Sequence, residues 1–416
     1  MSEITSYNLA RERYAALGVD TDAALQQLSQ IPISLHCWQA DDVHGFEHHS
    51  GEPGGGLAVT GNYPGRAKTI QHLRDDLEMA MSLIPGPIRV NLHAIYGDFS
   101  HRPADRDAIG PEHFISWVQW ASQLGIALDF NSSFFGHPKA SDGFTLANAD
   151  AGIRDFWVEH GRRCREIAAY MGREQGSPCI HNVWIPDGAK DETVNRLLHR
   201  RLLEESLDAI FQTPIKEEEM LDAVESKLFG IGSESFVVGS FEFYMGYSIT
   251  RNKMLCLDMG HFHPTESVAD KVSAVMLYVK KLLFHFSRGI RWDSDHVVTF
   301  NDAMRDLALE LVRSNVLHRS SLALDFFDAS INRIGAYVVG TRAAQKALLF
   351  ALLEPRVLLS GYEDEGRLFE RLALLEEMKS MPFGDVWNYY CISRNVPPGT
   401  GYFEAVGKYE TVTALR

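Results

Sequence analysis

Eight short runs of apolar and β-branched residues alternate along this chain with longer stretches that have helical periodicity. The runs, which predict strands, are Ile33–Cys37, Ile88–His93, Ile126–Phe130, His181–Ile185, Asp222–Glu225, Met254–Asp258, Leu282–Phe286 and Ser321–Asp325. The intervening stretches, which predict helices, are Lys68–Leu83, Glu112–Leu124, Gly152–Met171, Asp191–Phe211, Glu266–Lys281 and Asn301–Arg313. Strands that alternate with helices form βαβ units with a parallel sheet, and eight such units predict a closed (β/α)8 TIM barrel of the α/β class.

Polar side chains lie at or just beyond the carboxyl end of almost every predicted strand. They are His36, His93, Asp129, Asn131, Trp184, Glu225, Asp258, His285 and Asp325. In (β/α)8 barrels the active site is built on the rim at this end of the strands. A doubly wound open sheet would instead need a glycine-rich phosphate turn after its first strand, and no turn of that kind fits here. The pattern therefore favours the barrel and predicts its chemistry on one rim.

Two regions lie outside the barrel pattern. Residues 41–66, after the first strand, form a long glycine-rich loop, and loops of this length often serve as lids. The histidines of this loop, at 44, 48 and 49, are more typical of solvated side chains than of metal ligands. After the last strand, the helical stretches Ile331–Leu353, Arg367–Lys379 and Val386–Ser393 exceed one barrel helix. We therefore expect residues 1–330 to form the barrel, and residues 331–416 to form its last helix and a C-terminal helical extension used for subunit contacts.

The net charge and the cysteine usage limit the partners and the cellular location that we expect for this protein. The 416 residues carry a formal net charge of −15, which argues against nucleic acid or an anionic membrane as a partner, because both select basic surfaces. The five cysteines are scattered and show no CxxC spacing, which is typical of reduced thiols in the cytoplasm. Neither the first residues nor the longest apolar runs have the features of a signal peptide or a membrane span. We therefore expect a cytoplasmic protein.

Carboxylates and imidazoles, the groups that Mn²⁺, Mg²⁺ or Co²⁺ accept as ligands, are concentrated in the second half of the chain. Asp293 and Asp295 form the strongest candidate pair of metal ligands, because residues two apart in an extended chain face the same side. The neighbouring Trp292 could exclude water beside them. A polar turn is the alternative, but we favour metal ligation. Asp258 and His261 follow a strand and can reach one ion, although a capping aspartate and a turn histidine explain them equally well.

For four further residues at or near strand ends, a purely structural role competes with a role in metal or substrate binding. His285 lies in an apolar run, where a lone histidine is more often a core residue than a ligand. Asp325 ends a strand, and a capping role competes there with metal binding. Glu225 and Lys227 would share one strand face. They form either a local ion pair or a divided site, in which Glu225 binds metal and Lys227 polarises a substrate oxygen.

Nine distinctive sequence blocks follow one another over nearly the whole chain. They are His36-Cys-Trp-Gln-Ala-Asp-Asp42, Thr60-Gly-Asn-Tyr-Pro-Gly65, Pro85-Gly-Pro87, Asn91-Leu-His-Ala-Ile-Tyr96, Trp184-Ile-Pro-Asp-Gly188, Glu225-Ser-Lys-Leu-Phe-Gly-Ile-Gly232, Gly260-His-Phe-His-Pro-Thr265, Arg291-Trp-Asp-Ser-Asp-His296 and Leu324-Asp-Phe-Phe-Asp-Ala-Ser-Ile-Asn332. Together these blocks resemble the L-rhamnose isomerase family. The resemblance implies a (β/α)8 barrel similar to that of xylose isomerase, a homotetramer, and two divalent cations per subunit, of which Mn²⁺ is the usual one and Co²⁺ or Mg²⁺ are substitutes.

The resemblance also implies a role for each matching residue. One cation would be held by Glu225, Asp258, His285 and Asp325, and the other by His261, Asp293 and Asp295, with Asp258 as a candidate bridge. The residues that would touch the sugar are His93, Trp184 and Lys227, and those that would help to line its pocket are Trp38 and Phe130. Lys227 and Asp325 would be the catalytic residues.

The activity implied by the resemblance is the reversible interconversion of L-rhamnose and L-rhamnulose. One route is a metal-assisted hydride shift from C2 to C1, with Lys227 or the second cation stabilising charge at O1. The other is an enediol route in which an acid such as Asp325 moves a proton. The competing functions are another sugar isomerase or epimerase on the same barrel, a metal-dependent nuclease barrel, and a non-catalytic sugar-binding protein. The net charge of −15 speaks against the nuclease, and the full ligand set speaks against the loss of catalysis.

Overall fold

The computed structural model describes residues 3–47 and 57–416, and eight of its strands close into a parallel barrel. The strands are β1 (Ile33–His36), β2 (Ile88–His93), β3 (Ala127–Asn131), β4 (Cys179–Val183), β5 (Gly188–Ala189), β6 (Met220–Glu225), β7 (Phe236–Val237), β8 (Met254–Asp258), β9 (Leu282–Phe286) and β10 (Ser320–Leu324). The short strands β5 and β7 pair antiparallel outside the barrel. The other eight pair in chain order, and β10 returns to β1 to close the sheet.

Helices follow most of the barrel strands and continue beyond the last one. In the described residues they are α1 (Glu3–Ala15), α2 (Thr21–Leu28), α3 (Ile70–Met81), α4 (Ile115–Leu124), α5 (Ala151–Gln175), α6 (Arg196–Ile210), α7 (Phe241–Arg251), α8 (Val268–Val275), α9 (Asp302–Arg313), α10 (Arg333–Leu352), α11 (Arg356–Asp364), α12 (Leu368–Met378), α13 (Phe383–Ser393) and α14 (Phe403–Thr413). Several begin at a capping side chain: Thr69, Asp150 and Asn301 each accept a hydrogen bond from a backbone N–H in the first turn of α3, α5 and α9.

The barrel strands are buried on both faces, which is why they appear in the sequence as nearly continuous apolar runs. Alternate side chains on each strand point to opposite faces of the sheet. On β6, Ala223 packs in a small cluster inside the barrel, while Val224 packs in the main core beneath the helices. The members of the inner cluster are Ile180, Ala223, Met254, Cys256, Leu283 and Ala323. This cluster lies in the barrel interior below the carboxyl rim.

The barrel predicted from the sequence is confirmed, and each of the eight predicted strands is present. The bounds of β2, β8 and β9 agree with the prediction. The helix predicted from Asp191 begins later, at Arg196, because the Asn195 side chain caps it by accepting from Leu198 N. The helix predicted to reach Lys281 ends at Val275, where a turn leads into β9. The helices α1, α2, α7, α11 and α14 were not predicted.

The long helix α10 packs on the first and last parts of the barrel. It contacts α9 most extensively and also contacts α2, α3 and β1. Four further helices follow it in the described residues, and α13 packs against α1. None of the helices in the described ranges has both the length and the apolar character needed to cross a membrane.

Candidate active site

The carboxyl ends of four neighbouring strands bring a group of acids and histidines together. Glu225 ends β6, Asp258 ends β8, His285 lies near the end of β9, and Asp325 directly follows β10. The parallel register pairs Asp258 with His285. The four side chains therefore meet on the rim that the sequence pattern predicts.

These four residues offer ligand atoms that all lie within 4.8 Å of one another. The Nδ1 atom of His285 is 3.2 Å from Glu225 Oε1, 3.2 Å from Asp325 Oδ2 and 3.7 Å from Asp258 Oδ2. A ring nitrogen carries at most one hydrogen, so it cannot satisfy three carboxylates. The convergence of three carboxylate oxygens on one imidazole nitrogen is the donor arrangement that suits a divalent cation.

The protonation behaviour of the group supports this fit. Burial raises the pKa of Asp258 to about 7, and the nearby Asp325 and Glu225 carboxylates add to the rise. Burial would also raise the pKa of Glu225, but the His285 and His261 imidazoles outweigh it and bring that pKa below its usual value. In the described part of the chain, Asp258 Oδ2 is buried without a hydrogen bond. A bound cation would offset the lost hydration of such a buried carboxylate oxygen.

The second predicted ligand set lies beside the first. His261 Nε2 is 3.4 Å from Asp293 Oδ2, and His261 Nδ1 is 3.1 Å from Glu225 Oε1, so this histidine connects the two sets. Asp295 has a φ of 46°, a conformation that non-glycine residues rarely adopt and that often occurs at functional sites. Burial raises the pKa of Asp293 and that of Asp295. Of the two predicted ligand sets, the first has all its ligand atoms within 4.8 Å of one another in the described structure.

Gly260 allows the two sets to approach each other. A Cβ at this position would lie 3.2 Å from Asp258 Oδ1, 3.2 Å from Asp293 Oδ1 and 2.8 Å from Ser287 Oγ. The Gly260 N–H and the Ser287 hydroxyl both donate hydrogen bonds to Asp258 Oδ1. The glycine between Asp258 and His261 therefore leaves space that any larger residue would fill, and its backbone helps to orient one carboxylate.

Lys227 is a buried cation that lines the same cavity as these acids. Its Nζ donates a hydrogen bond to the Pro186 carbonyl oxygen at 3.2 Å and lies 5.7 Å from the centre of the Trp184 ring. Burial lowers the pKa of Lys227 to about 8, while the charges of Asp293 and Asp187 oppose this shift. With a pKa of about 8, the ammonium form still predominates at neutral pH. The Lys227 ammonium can therefore donate a charge-assisted hydrogen bond to a ligand oxygen.

Aromatic side chains line the cavity beside the acids. Trp38 Nε1 donates a hydrogen bond to Asp325 Oδ1 at 3.0 Å, and the Trp38 ring packs edge-on to His93 with centroids 4.8 Å apart. Trp184 packs over His261 with a centroid distance of 6.4 Å. The cavity between the acids and these rings is lined by Trp38, His93, Trp184 and Lys227. These four residues are therefore within reach of one small ligand.

Phe130 requires a correction. Its ring packs edge-on to Phe114 with centroids 5.0 Å apart, and it does not belong to the described lining of the cavity. The neighbouring Asn131 faces the cavity, so the alternation of β3 turns Phe130 outward toward α4. Phe135, which lies a few residues further along, supplies an aromatic wall instead.

Asn182 lines the cavity and contacts a candidate ligand, although the sequence pattern did not indicate it. It lies on β4 and its Nδ2 donates a hydrogen bond to Glu225 Oε2, which fixes the orientation of that carboxylate. The signal that could have found it is the period of two along β4, because Trp184, which was predicted in the pocket, is two residues further on. Val43, Leu57 and Phe327 also line the cavity and were not predicted.

The predicted lid loop is described only at its two ends. Residues 48–56, with two of its histidines and its three consecutive glycines, lie outside the described residues. On the near side, Glu47 forms a buried ion pair with Arg106, and Asp42 forms one with Arg333. Val43 and Leu57, on either side of residues 48–56, line the cavity. The roots of the loop are thus attached to the barrel beside the site.

The fold and the rim together define a barrel enzyme with a candidate divalent-metal centre. The L-rhamnose isomerase (RhaA) family matches residues 1–416. An L-rhamnose isomerase of Rhodopirellula baltica is 59% identical over 406 residues, which cover 98% of this chain and 95% of that protein. One of Bacteroides thetaiotaomicron is 55% identical over 412 residues, which cover 99% and 98%. The chain belongs to the L-rhamnose isomerase family.

Solved structures with similar backbones are much more distant in sequence. A structure of L-ribulose 3-epimerase is 12% identical, with a TM-score of 0.47, and covers 79% of this chain and 96% of its own. A structure of D-allulose 3-epimerase from Methylomonas sp. is 11% identical, with a TM-score of 0.45, and covers 77% and 97%.

Proposed function

We propose that this chain is an aldose–ketose isomerase that interconverts L-rhamnose and L-rhamnulose with the help of divalent cations, as a step of L-rhamnose catabolism. The observation that carries the proposal is the four-donor cluster of Glu225, Asp258, His285 and Asp325 at the edge of an aromatic cavity. The family membership supports the substrate, because the relatives named above are L-rhamnose isomerases. A small polyol fits a cavity that joins carboxylates, a buried amine and aromatic rings.

Two cations per subunit would be held by the two ligand sets, with Mn²⁺ as the preferred ion and Co²⁺ or Mg²⁺ as substitutes. The first set would be Glu225, Asp258, His285 and Asp325, and the second would be His261, Asp293 and Asp295. Hard oxygen donors with one or two imidazoles suit these ions. When bound, the cations supply Lewis acidity toward sugar oxygens and lower the pKa of a nearby water.

The residues of the chain itself would orient the sugar and stabilise charge. Lys227, whose ammonium form predominates at neutral pH, would donate to O1 as negative charge develops there during a hydride shift from C2 to C1. Trp38, His93 and Trp184 would shield the reacting carbons from water. Asp325, held by the Trp38 indole N–H, would be the proton carrier if the reaction instead followed the enediol route.

The assembly and location belong to the same proposal. Residues 331–416 would complete the barrel and provide contacts in a homotetramer in the cytoplasm. The exposed apolar side chains Val357, Leu368, Phe369 and Leu372 on α11 and α12 support such contacts. All five cysteines are free and buried, which is consistent with a reducing compartment. Light scattering of the purified protein measures the assembly directly, and a monomeric mass would contradict it.

The first test is ketose formation from L-rhamnose by protein stripped with EDTA, measured before and after Mn²⁺ is added. Activity that appears only with metal is the expected result. A folded, metal-loaded protein that leaves L-rhamnose unchanged would contradict the proposal. L-lyxose and L-mannose, tested in parallel, would then show whether the barrel isomerises a different aldose. A phosphodiester substrate tests the nuclease alternative in the same preparation.

A further inference from the structure

A buried arginine that the proposed reaction does not use is attached to one wall of the cavity. Arg106 lies between β2 and α4, and 2% of its surface is exposed. Its Nε and Nη2 atoms both donate hydrogen bonds to the carboxylate of Glu47, in the loop after β1. The two side chains are 3% and 6% exposed, so the ion pair is shielded from water. A buried bidentate pair of this kind holds both partners in one orientation.

The remaining nitrogen of the guanidinium holds the loop that follows β3. The Nη1 atom of Arg106 donates hydrogen bonds to the carbonyl oxygens of Ser133 and Phe135. These bonds come from a charged donor, and charge-assisted hydrogen bonds are stronger than neutral ones. Arg106 therefore connects Glu47, on one side, to the backbone that carries Phe135, on the other.

A histidine of α5 attaches the same loop to the backbone of Arg106. The Ser133 N–H donates a hydrogen bond to His160 Nε2 at 3.0 Å, and His160 Nδ1 lies 3.0 Å from the Arg106 carbonyl oxygen. Burial and the nearby Arg106 charge lower the pKa of His160 well below its usual value, so the ring is neutral. A neutral imidazole carries one hydrogen, and because Nε2 accepts, Nδ1 donates. Both the side chain and the backbone of Arg106 are thus held against residues 133–135.

Two side chains that line the cavity depend on the position of this loop. The Phe135 ring packs edge-on to His93 and to Trp184, with centroids 5.3 Å and 6.2 Å apart. Ser133 Oγ is hydrogen-bonded to His93 Nδ1 at 3.1 Å, and this bond restrains the rotation of the imidazole. A shift of the loop would therefore displace an aromatic wall and turn a histidine that is expected to contact the sugar.

We propose that Arg106 is a positioning residue of the sugar pocket. Its guanidinium, held by Glu47, keeps Phe135 and His93 in place through residues 133–135. The inference rests on the proposed function, because that function makes the cavity a sugar pocket. Arg106 does not line the cavity in the described structure, so it acts on a sugar only through these neighbours. Lysine would keep the charge, but its ammonium cannot reproduce the planar fork that engages a carboxylate and two carbonyls together.

The first test is the kinetics of Arg106→Lys with L-rhamnose and saturating Mn²⁺. KM should rise by about tenfold, with a smaller change in kcat, because groups that bind the sugar are misplaced. The ratio of bound metal to protein should stay at the wild-type value. Glu47→Gln keeps the shape of the side chain but removes the counter-charge, so it should raise KM as well. This second variant keeps the test decisive if Arg106→Lys folds poorly.

Arg165→Lys is the matched control. The Nε and Nη2 atoms of Arg165 pair with Asp222, and its Nη1 atom donates to the carbonyl oxygens of Ile210 and Thr213. The pattern of donors is the same as that of Arg106, but in the described structure none of these residues lines the cavity. KM should therefore stay within about twofold of wild type in this variant. An equal rise of KM in both arginine variants would overturn the proposal.

A double-mutant cycle tests whether the effect passes through the aromatic wall. Arg106→Lys should raise KM less in a Phe135→Ala background than in wild type, by a factor of about three or more. The reason is that a ring that has been removed cannot be misplaced. Fully additive effects would show that Arg106 acts elsewhere, and they would overturn the proposal.

A crystal structure of Arg106→Lys without sugar gives a readout that needs no turnover. The Phe135 ring should be displaced, and the hydrogen bond between Ser133 and His93 should be broken. A wall that keeps its wild-type position in this variant would overturn the proposal. If wild type fails to isomerise L-rhamnose, the proposed function fails, and the crystal structure still decides whether Arg106 positions the wall.

Discussion

Replacing Asp222 by asparagine should destabilise the protein strongly and in a pH-dependent way. Asp222 is buried on β6, shortly before Glu225. It accepts hydrogen bonds from Arg165 Nε and Nη2, both at 3.0 Å, and from Lys253 Nζ at 2.7 Å. His181 Nδ1 lies 3.2 Å from Asp222 Oδ1. One carboxylate thus neutralises two cations and helps to fix the strand that carries a candidate metal ligand.

The expected loss can be worked out from these contacts. Asparagine keeps the shape of the side chain but removes its charge, so Arg165 and Lys253 lose their counter-charge. Removing one partner of a buried ion pair lowers the free energy of unfolding by about 3–5 kcal/mol. With an unfolding entropy of about 2 cal/mol/K per residue and 416 residues, this loss corresponds to a fall of about 3–6 °C in Tm.

The pH dependence has a definite sign. Burial alone would raise the pKa of Asp222, but the His181 hydrogen bond and the charges of Lys253 and Arg165 bring it well below its usual value. The contribution to stability is therefore fully present above the unfolded pKa of about 3.9, and it is lost as the pH falls through the folded pKa. The Tm difference between wild type and the variant should be largest near neutral pH and should shrink below about pH 4.

Differential scanning calorimetry at one scan rate, in EDTA so that bound metal does not contribute, measures this difference. Asp208→Asn is the control, because Asp208 pairs with Arg251 at the surface, where such a pair contributes about 1 kcal/mol or less. A Tm that falls no further in Asp222→Asn than in the control would refute the reasoning. So would a difference that stays the same at acidic and neutral pH.

Three further variants test the site. Asp293→Asn should abolish metal-restored isomerisation with an unchanged circular dichroism spectrum, and full activity would remove this carboxylate from the reaction. Lys227→Met should lower kcat with little change in bound metal, because the neutral side chain cannot stabilise charge at O1; parallel losses of kcat and metal would instead assign Lys227 to the metal site. Gly260→Ala should weaken metal binding by about tenfold or more, measured by titration, because its Cβ would lie 3.2 Å from the Oδ1 atoms of Asp258 and Asp293. Gly246→Ala, whose Cβ meets nothing within 4 Å, is the control, and equal weakening in both variants would contradict the explanation.

The strands could be predicted because burial on both faces makes each one a recognisable apolar run. The run Leu282–Phe286 has the same bounds in the sequence pattern and in the structure. Strand ends were less predictable where apolar residues continue beyond the pairing. The run at β4 was predicted from His181, but the strand begins at Cys179, which pairs with Met220 of β6. Register with a neighbouring strand, which local sequence does not contain, determines such an end.

The helices that escaped prediction have weak local signals. Helix α7 contains several aromatic residues, the β-branched Ile249 and Thr250, and Gly246, all of which are poor helix formers. Its helical state depends on the packing of Tyr244 and Tyr247 against the barrel. Contacts made only in the folded protein therefore override the propensity of the segment.

The candidate ligands could be found from sequence because acids and histidines at strand ends are rare enough to stand out. The residues that support them could not. Asn182 has an ordinary side chain in an ordinary strand, and its importance comes from the hydrogen bond to Glu225. Phe130 and Phe135 are equally plausible as aromatic walls until the alternation of β3 is known. Family resemblance supplied the grouping of the ligands, which spacing alone left open.

The closure of the barrel by its first and last strands has a consequence for how the protein is made. Ile33 and Ser34 of β1 pair with Leu322 and Ala323 of β10, so a chain emerging from the ribosome keeps an open sheet until nearly four-fifths of it has been synthesised. Until then, the backbone N–H and C=O groups at the edges of β1 and β9 are unpaired, and they can pair with other chains and cause aggregation. Asp325 arrives with the closing strand, so the four-donor set is complete only when the sheet is closed. A nascent chain released before this point would lack both a sealed sheet and a full set of metal ligands.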